Sequence, residues 1–192
     1  RIFFGGGLVI PSNNTLTSDP FSLLDPNSLE DHRHFSMSEG VYKAILETQF
    51  FIKRKYNPVF MGTFLVVELP LHENKYGFKA PRIVEVSFSS LTSKLRYIKS
   101  SLSFGLSIQN SSLAYWNGIE APNTQSTILI PTIGMLWSTK IATLALNLQK
   151  PMFINGSIPA LGSEVSDHSA DTWQLSFSIR KVLDYTIPWL YW

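Results

Sequence analysis

The sequence predicts an all-β fold, an antiparallel up-and-down transmembrane β-barrel of about eight strands. Three observations predict it: period-2 alternation along most of the chain, connections that run long and short by turns, and aromatic residues gathered where strands end. The first segment, 2–10, is apolar on both faces, so its orientation is open at this point. In the next, Leu46, Thr48, Phe50 and Ile52 oppose Glu47, Gln49, Phe51 and Lys53. Segment 63–71 sets Leu65, Val67 and Leu69 opposite Glu68, and Val84, Val86 and Phe88 oppose Glu85, Ser87 and Ser89. The clearest case is 101–109, where Leu102, Phe104, Leu106 and Ile108 alternate with Ser, Gly and Gln. Segment 126–137 is again apolar on both faces. Ala142, Leu144, Leu146 and Leu148 then alternate with Thr143, Ala145, Asn147 and Gln149. Trp173, Leu175, Phe177 and Ile179 close the series opposite Gln174, Ser176, Ser178 and Arg180.

The connections between these strands are long at 11–34, 72–81, 110–125 and 150–171 and short near Asn57-Pro58, Thr92-Ser93 and Ser138-Thr139. Short turns on one side and long loops on the other are the pattern of an outer-membrane barrel, and an even strand number returns both ends of the chain to the turn side. With 192 residues the chain is expected to form one domain, 1–192, with no internal repeat or linker. It opens without Met and shows no leader-like segment, so it is expected to be a mature form or a fragment. No run of about 18 apolar residues is present to make a transmembrane helix, so a membrane would have to be crossed by strands.

Composition separates a membrane barrel from a soluble sandwich. Charged residues make up 16% of the chain and hydrophobic residues 44%, whereas a soluble domain carries roughly 25% charge. The polar faces are built from Ser, Gly, Asn and Gln, which suit a narrow interior better than a water-facing surface. A formal charge of +2 gives no case for nucleic acid, and the absence of Cys excludes disulfides and thiolate sites. Tyr56, Phe60, Tyr97, Trp137, Tyr185, Trp189 and Trp192 fall near the turn side, and Phe35, Tyr42, Tyr115, Trp116, Phe153 and Trp173 near the loop side. Two such belts match the aromatic girdles that sit at lipid headgroup level. Lys53, Arg54, Lys55, Lys94, Arg96, Lys99, Lys140, Arg180 and Lys181 crowd the turn side, where they can reach phospholipid headgroups, while much of the acid belongs to the loops.

On these features the chain resembles Gram-negative outer-membrane β-barrel proteins, in size and strand number the small OmpA/OmpX-type barrels. Gly5-Gly6-Gly7-Leu8-Val9-Ile10-Pro11-Ser12 and Trp173-Gln174-Leu175-Ser176-Phe177-Ser178 are similar to stretches of barrels described as outer-membrane transporters. Those are usually larger, so the chain is alternatively the C-terminal part of such a barrel. Trp192 is similar to the terminal aromatic read by the outer-membrane assembly machinery, although Pro188 interrupts the strand expected there. The resemblance implies a bacterial outer-membrane location with periplasmic chain ends. Its implied partners are membrane lipid and lipopolysaccharide, with other membrane or surface proteins as further candidates.

Two constellations are candidate sites. Glu47, Lys53, Glu68, Glu85 and Arg180 point away from the apolar face, where confinement makes an unpaired charge costly. They are expected to form a lumen charge network, which in a conducting pore would be a selectivity constriction. In the loops, Asp31, His32 and His34 would approach Asp167 and His168 if the first and last strands meet. Imidazole and carboxylate suit Zn or Cu, so this rim is a candidate metal site, with exposed polar loop as the plainer expectation. No P-loop, dinucleotide fingerprint or nucleophile elbow occurs, and no cofactor is expected. The expected function is a non-enzymatic outer-membrane barrel giving a narrow conduit or passive transport of small solutes. The alternatives are a structural or interaction barrel with a plugged lumen, and a lipid-directed hydrolase at the outer rim.

Overall fold

The computed structural model describes residues 1–19, 38–122, 124–156 and 172–181. Every regular element among them is a strand: β1 (Ile2–Val9), β2 (Lys43–Lys53), β3 (Phe60–Pro70), β4 (Phe78–Lys79), β5 (Ile83–Leu91), β6 (Ser101–Ser111), β7 (Tyr115–Trp116), β8 (Ile119–Glu120), β9 (Ser126–Ser138), β10 (Thr143–Gln149), β11 (Met152–Asn155) and β12 (Gln174–Arg180). The long strands pair antiparallel in the order β1-β2-β3-β5-β6-β9-β10-β12, each beside its predecessor in the chain, and β4, β7 and β8 form a separate small sheet. Among the described residues the main sheet is not closed: β1 and β12 are not paired with each other.

Register turns the alternation of single strands into two continuous faces. Leu46 of β2 lies opposite Val67 of β3, which lies opposite Val84 of β5. Val86, the next such residue along β5, faces Ile108 of β6, and that faces Leu129 of β9. Ile133 then meets Leu148 of β10, which meets Leu175 of β12. Because side chains alternate strictly across a strand, one matched row commits every residue of the sheet to a face. The two ambiguous strands are settled this way. Ile2, Phe4 and Leu8 of β1 join the apolar face through Phe50, Thr48 and Ala44. Leu129, Pro131, Ile133 and Met135 of β9 join it through Ile108, Leu106, Phe104 and Leu102.

The apolar face is the open one. Phe104, Leu106 and Ile108 are 43%, 42% and 42% exposed, whereas Ser103, Gly105, Ser107 and Gln109 between them are half-buried. A flat single sheet would expose both faces alike, so this sheet curls over its polar side. Toward its two edges the shelter is lost: β12 is exposed on both faces, and so is nearly all of β1.

The turns are held by local bonds. Thr139 closes 139–142 by donating from Oγ1 to the Ala142 carbonyl (2.7 Å) and accepting from the Ile141 and Ala142 amides. The connection at Thr92-Ser93 is longer than a tight turn. It runs to Ser100, and the Leu95 amide donates to the Ser100 carbonyl (2.8 Å). The last long loop also begins later than 150, because β11 continues β10 in the same register along β9. Pro131 and Pro151 separate the two. Pro131 accepts the Lys150 amide, and on that side of β9 it has no N–H to return, while Pro151 has none either.

Buried hydrophobic residues lie in the loops rather than under the sheet. Ala114, Trp116 and Ala121 form the core of a cap at the loop end, with Leu16, Tyr76 and Phe78 packed against it. The Trp116 ring meets Phe78 at 4.9 Å across the β4–β7 pairing. Thr124 Oγ1 accepts the Ala114 amide and donates to the Ala121 carbonyl, locking the base of this loop. Asn74 joins the neighbouring loops: its Oδ1 accepts the Tyr76 and Phe78 amides (both 2.9 Å), and its Nδ2 donates to the Glu39 carbonyl (3.0 Å). Gly40 completes the junction. Its φ is +70°, and a Cβ there would stand 2.9 Å from Thr15 Oγ1.

Candidate functional site

The charged residues expected to form a network, Glu47, Lys53, Glu68, Glu85 and Arg180, fall on the polar face. Glu47 is opposite Gly5 and Val66, Lys53 opposite Phe60, Glu68 opposite Ile45 and Ile83, Glu85 opposite Val66 and Gln109, and Arg180 opposite Thr143. They share a face but not a place on it. Glu68 and Glu85 stand toward the loop end, Glu47 is central, and Lys53 and Arg180 stand at the turn end. From the Phe60 row to Glu68 is eight residues along β3, or about 26 Å at the rise of a strand.

Pairing instead uses a residue that the sequence reading passed over. Lys43 Nζ lies 2.5 Å from both Glu39 Oε2 and Glu68 Oε1. Lys43 is buried, Glu68 partly so, and the triad ties β2, β3 and the incoming loop together at the loop end. Its signal was present: Lys43 is in phase with Ile45 and Glu47, two steps before the alternation was picked up. Glu47 is held by a hydrogen bond from Gln49 Nε2, and Gly5 opposite leaves room for its carboxylate. Lys43 pairs with both Glu39 and Glu68, whereas Lys53, Glu85 and Arg180 take part in no ion pair among the described residues.

At the turn end the polar face becomes aromatic. Phe51 meets Phe3 at 6.0 Å, Phe60 at 5.5 Å and Phe64 at 5.3 Å. Its ring lies over Gly62, where a Cβ would come within 2.9 Å of it. Phe3, Phe51 and Phe60, with Arg1 and Lys53, line an open pocket of about 480 Å³.

Parity corrects part of the aromatic belts. Phe60 and Phe153 fall on the polar face, through Lys53 and Ile128, and Trp116 is buried in the cap. Trp137, by contrast, is on the apolar face at the turn end, and Tyr42 and Trp173 are exposed beside the loop ends of β2 and β12. Phe35, Tyr185, Trp189 and Trp192 lie outside the described residues, as do Asp31, His32, His34, Asp167 and His168 of the candidate metal rim. Among the described residues no cluster of His, Asp and Glu comes together that would hold a metal. His72, the one histidine among them, packs on Tyr42 at 5.4 Å. The polar face therefore carries hydroxyl and amide side chains interspersed with apolar ones, an aromatic cluster at its turn end and one compact ion-pair triad at its loop end. Comparisons with protein-family models, with curated proteins and with solved structures gave no match to this chain.

Proposed function

We propose that the sheet is the wall of a bacterial outer-membrane β-barrel, with periplasmic turns and chain ends. Its polar face lines a narrow conduit for passive passage of small solutes, without enzymatic chemistry. One observation carries this reading: an apolar face runs continuously across eight strands, and on the inner strands its Leu46, Phe50, Leu65, Val86, Phe88, Phe104, Leu106, Ile108 and Ile133 are exposed while the residues beside them on the polar face are sheltered. A soluble sheet buries its apolar face; a lipid-facing wall exposes it. Trp137, Tyr42 and Trp173 at the margins support a girdle at headgroup level. The packed cap at the loop end supports a second reading, a structural or interaction barrel whose mouth is closed.

The test is reconstitution. Folded protein should migrate faster on gels before boiling than after, and lipids brominated on the acyl chain should quench Trp137 strongly and Trp116 weakly. Conductance steps in planar bilayers are expected of a conduit. Silent bilayers with the gel shift intact select the capped barrel, and solubility without detergent together with no gel shift would overturn both.

A further inference from the structure

The two ends of the sheet differ in charge far more than the composition suggests. No Asp or Glu occurs within 48–67, 86–119 or 121–163, the stretches that contain all three turns. The turns at 54–59 and 92–100 are joined: Asn57 Oδ1 accepts the Ser93 amide at 2.7 Å, and the Leu91 carbonyl accepts the Val59 amide at 2.9 Å. The joined surface presents Lys55, Lys94, Arg96 and Lys99, all exposed. Tyr56 is 68% and Tyr97 97% exposed, with Ile98 open beside them. Arg54 is engaged already, its guanidinium 4.0 Å from the centre of the Tyr56 ring. Ile141 and Lys140 continue the surface on the third turn.

Cations without carboxylates call for an anion. Exposed rings and aliphatic side chains between them call for an anion at an apolar boundary, since a purely aqueous polyanion would leave those side chains in water. Ile52, exposed on the apolar face of β2, lies two residues before Arg54 of this surface. We infer that the joined turns bind the phosphate groups of anionic phospholipid, with Tyr56, Tyr97 and Ile98 seated at the headgroup boundary. The inference rests on the membrane reading above and names the lipid partner at its turn side.

The full chain in zwitterionic micelles is titrated with fluorescent phosphatidylglycerol and, separately, phosphatidylcholine. Phosphatidylglycerol should bind more tightly, and high salt should remove the difference. Combined Lys55→Gln, Lys94→Gln, Arg96→Gln and Lys99→Gln should weaken it by at least about tenfold. A charge-retaining set, Lys55→Arg, Lys94→Arg and Lys99→Arg, should bind as the parent does. Equal binding of the two lipids, or an unchanged affinity in the Gln variant, overturns the inference. So does displacement by free glycerol phosphate or by polyglutamate at lower concentration than by phosphatidylglycerol, which would assign the surface to a soluble phosphate or to an acidic protein. The heat-dependent gel shift on the same samples separates the two failures. Its loss in the parent chain sinks the membrane reading, and its presence without lipid discrimination sinks this one alone.

Discussion

Trp116 and Phe104 are both aromatic residues on strands, yet the first is 2% exposed and the second 43%. Trp116 belongs to the cap, where short strands and loops fold around a small core as any water-soluble unit does. Phe104 belongs to the sheet, in the middle of a regular strand, with its apolar neighbours equally open. Within one chain, the cap hides its core side chains and the inner strands of the sheet display theirs. The contrast teaches that the two regions meet their surroundings differently: the cap folds its apolar side chains inward, and the sheet's apolar face, on the proposed membrane reading, would meet hydrocarbon.

The comparison breaks most sharply at Trp116. Trp116→Ala removes the centre of the cap and should cost about 3–5 kcal/mol of local stability. Limited proteolysis should then cut 112–125 readily while the gel shift of the sheet persists. A concerted loss of both would show that cap and sheet form one cooperative unit. Next is Leu106→Arg on the apolar face, which should cost about 2–4 kcal/mol near the middle of a bilayer. Denaturant unfolding in phospholipid vesicles measures it, and a neutral result would mean that this face does not meet lipid. The smallest effect is expected at Asn74→Ala, which leaves the Tyr76 and Phe78 amides without their acceptor. A cost of about 1–3 kcal/mol should appear as faster hydrogen exchange at those two amides, with the strands unchanged.

The same contrast sets what the sequence could tell. The long strands were legible because seven to thirteen residues of period-2 pattern leave little ambiguity, and pairing then fixed the two strands that lacked it. The cap was not legible. Its strands β4, β7 and β8 have two residues each, too few for any period to register, so Trp116 looked like a belt residue at a strand end. For the charges, parity was readable, and so was the turn-side position of the two cations, but not which carboxylates they could reach. Alternation placed Glu47, Lys53, Glu68, Glu85 and Arg180 on one face, but register shows that Glu68 and Glu85 stand at the end opposite the two turn-side cations. Lys43 is the cation within reach of Glu68, and it lay just outside the recognised pattern.

The open edges of the sheet have a consequence for assembly. Among the described residues, each edge strand of the main sheet, β1 and β12, has a neighbour on one side only. In water the amides and carbonyls of the other side are hydrated at no great cost. In hydrocarbon every one left bare costs several kcal/mol, a toll that a row of them makes prohibitive. For a sheet of this kind, entering the membrane and finding edge partners are then one event rather than two. If the proposed membrane reading holds, seam closure and insertion would have to be timed together, and the backbone at the seam, more than the side chains of the wall, would govern when the chain enters the bilayer.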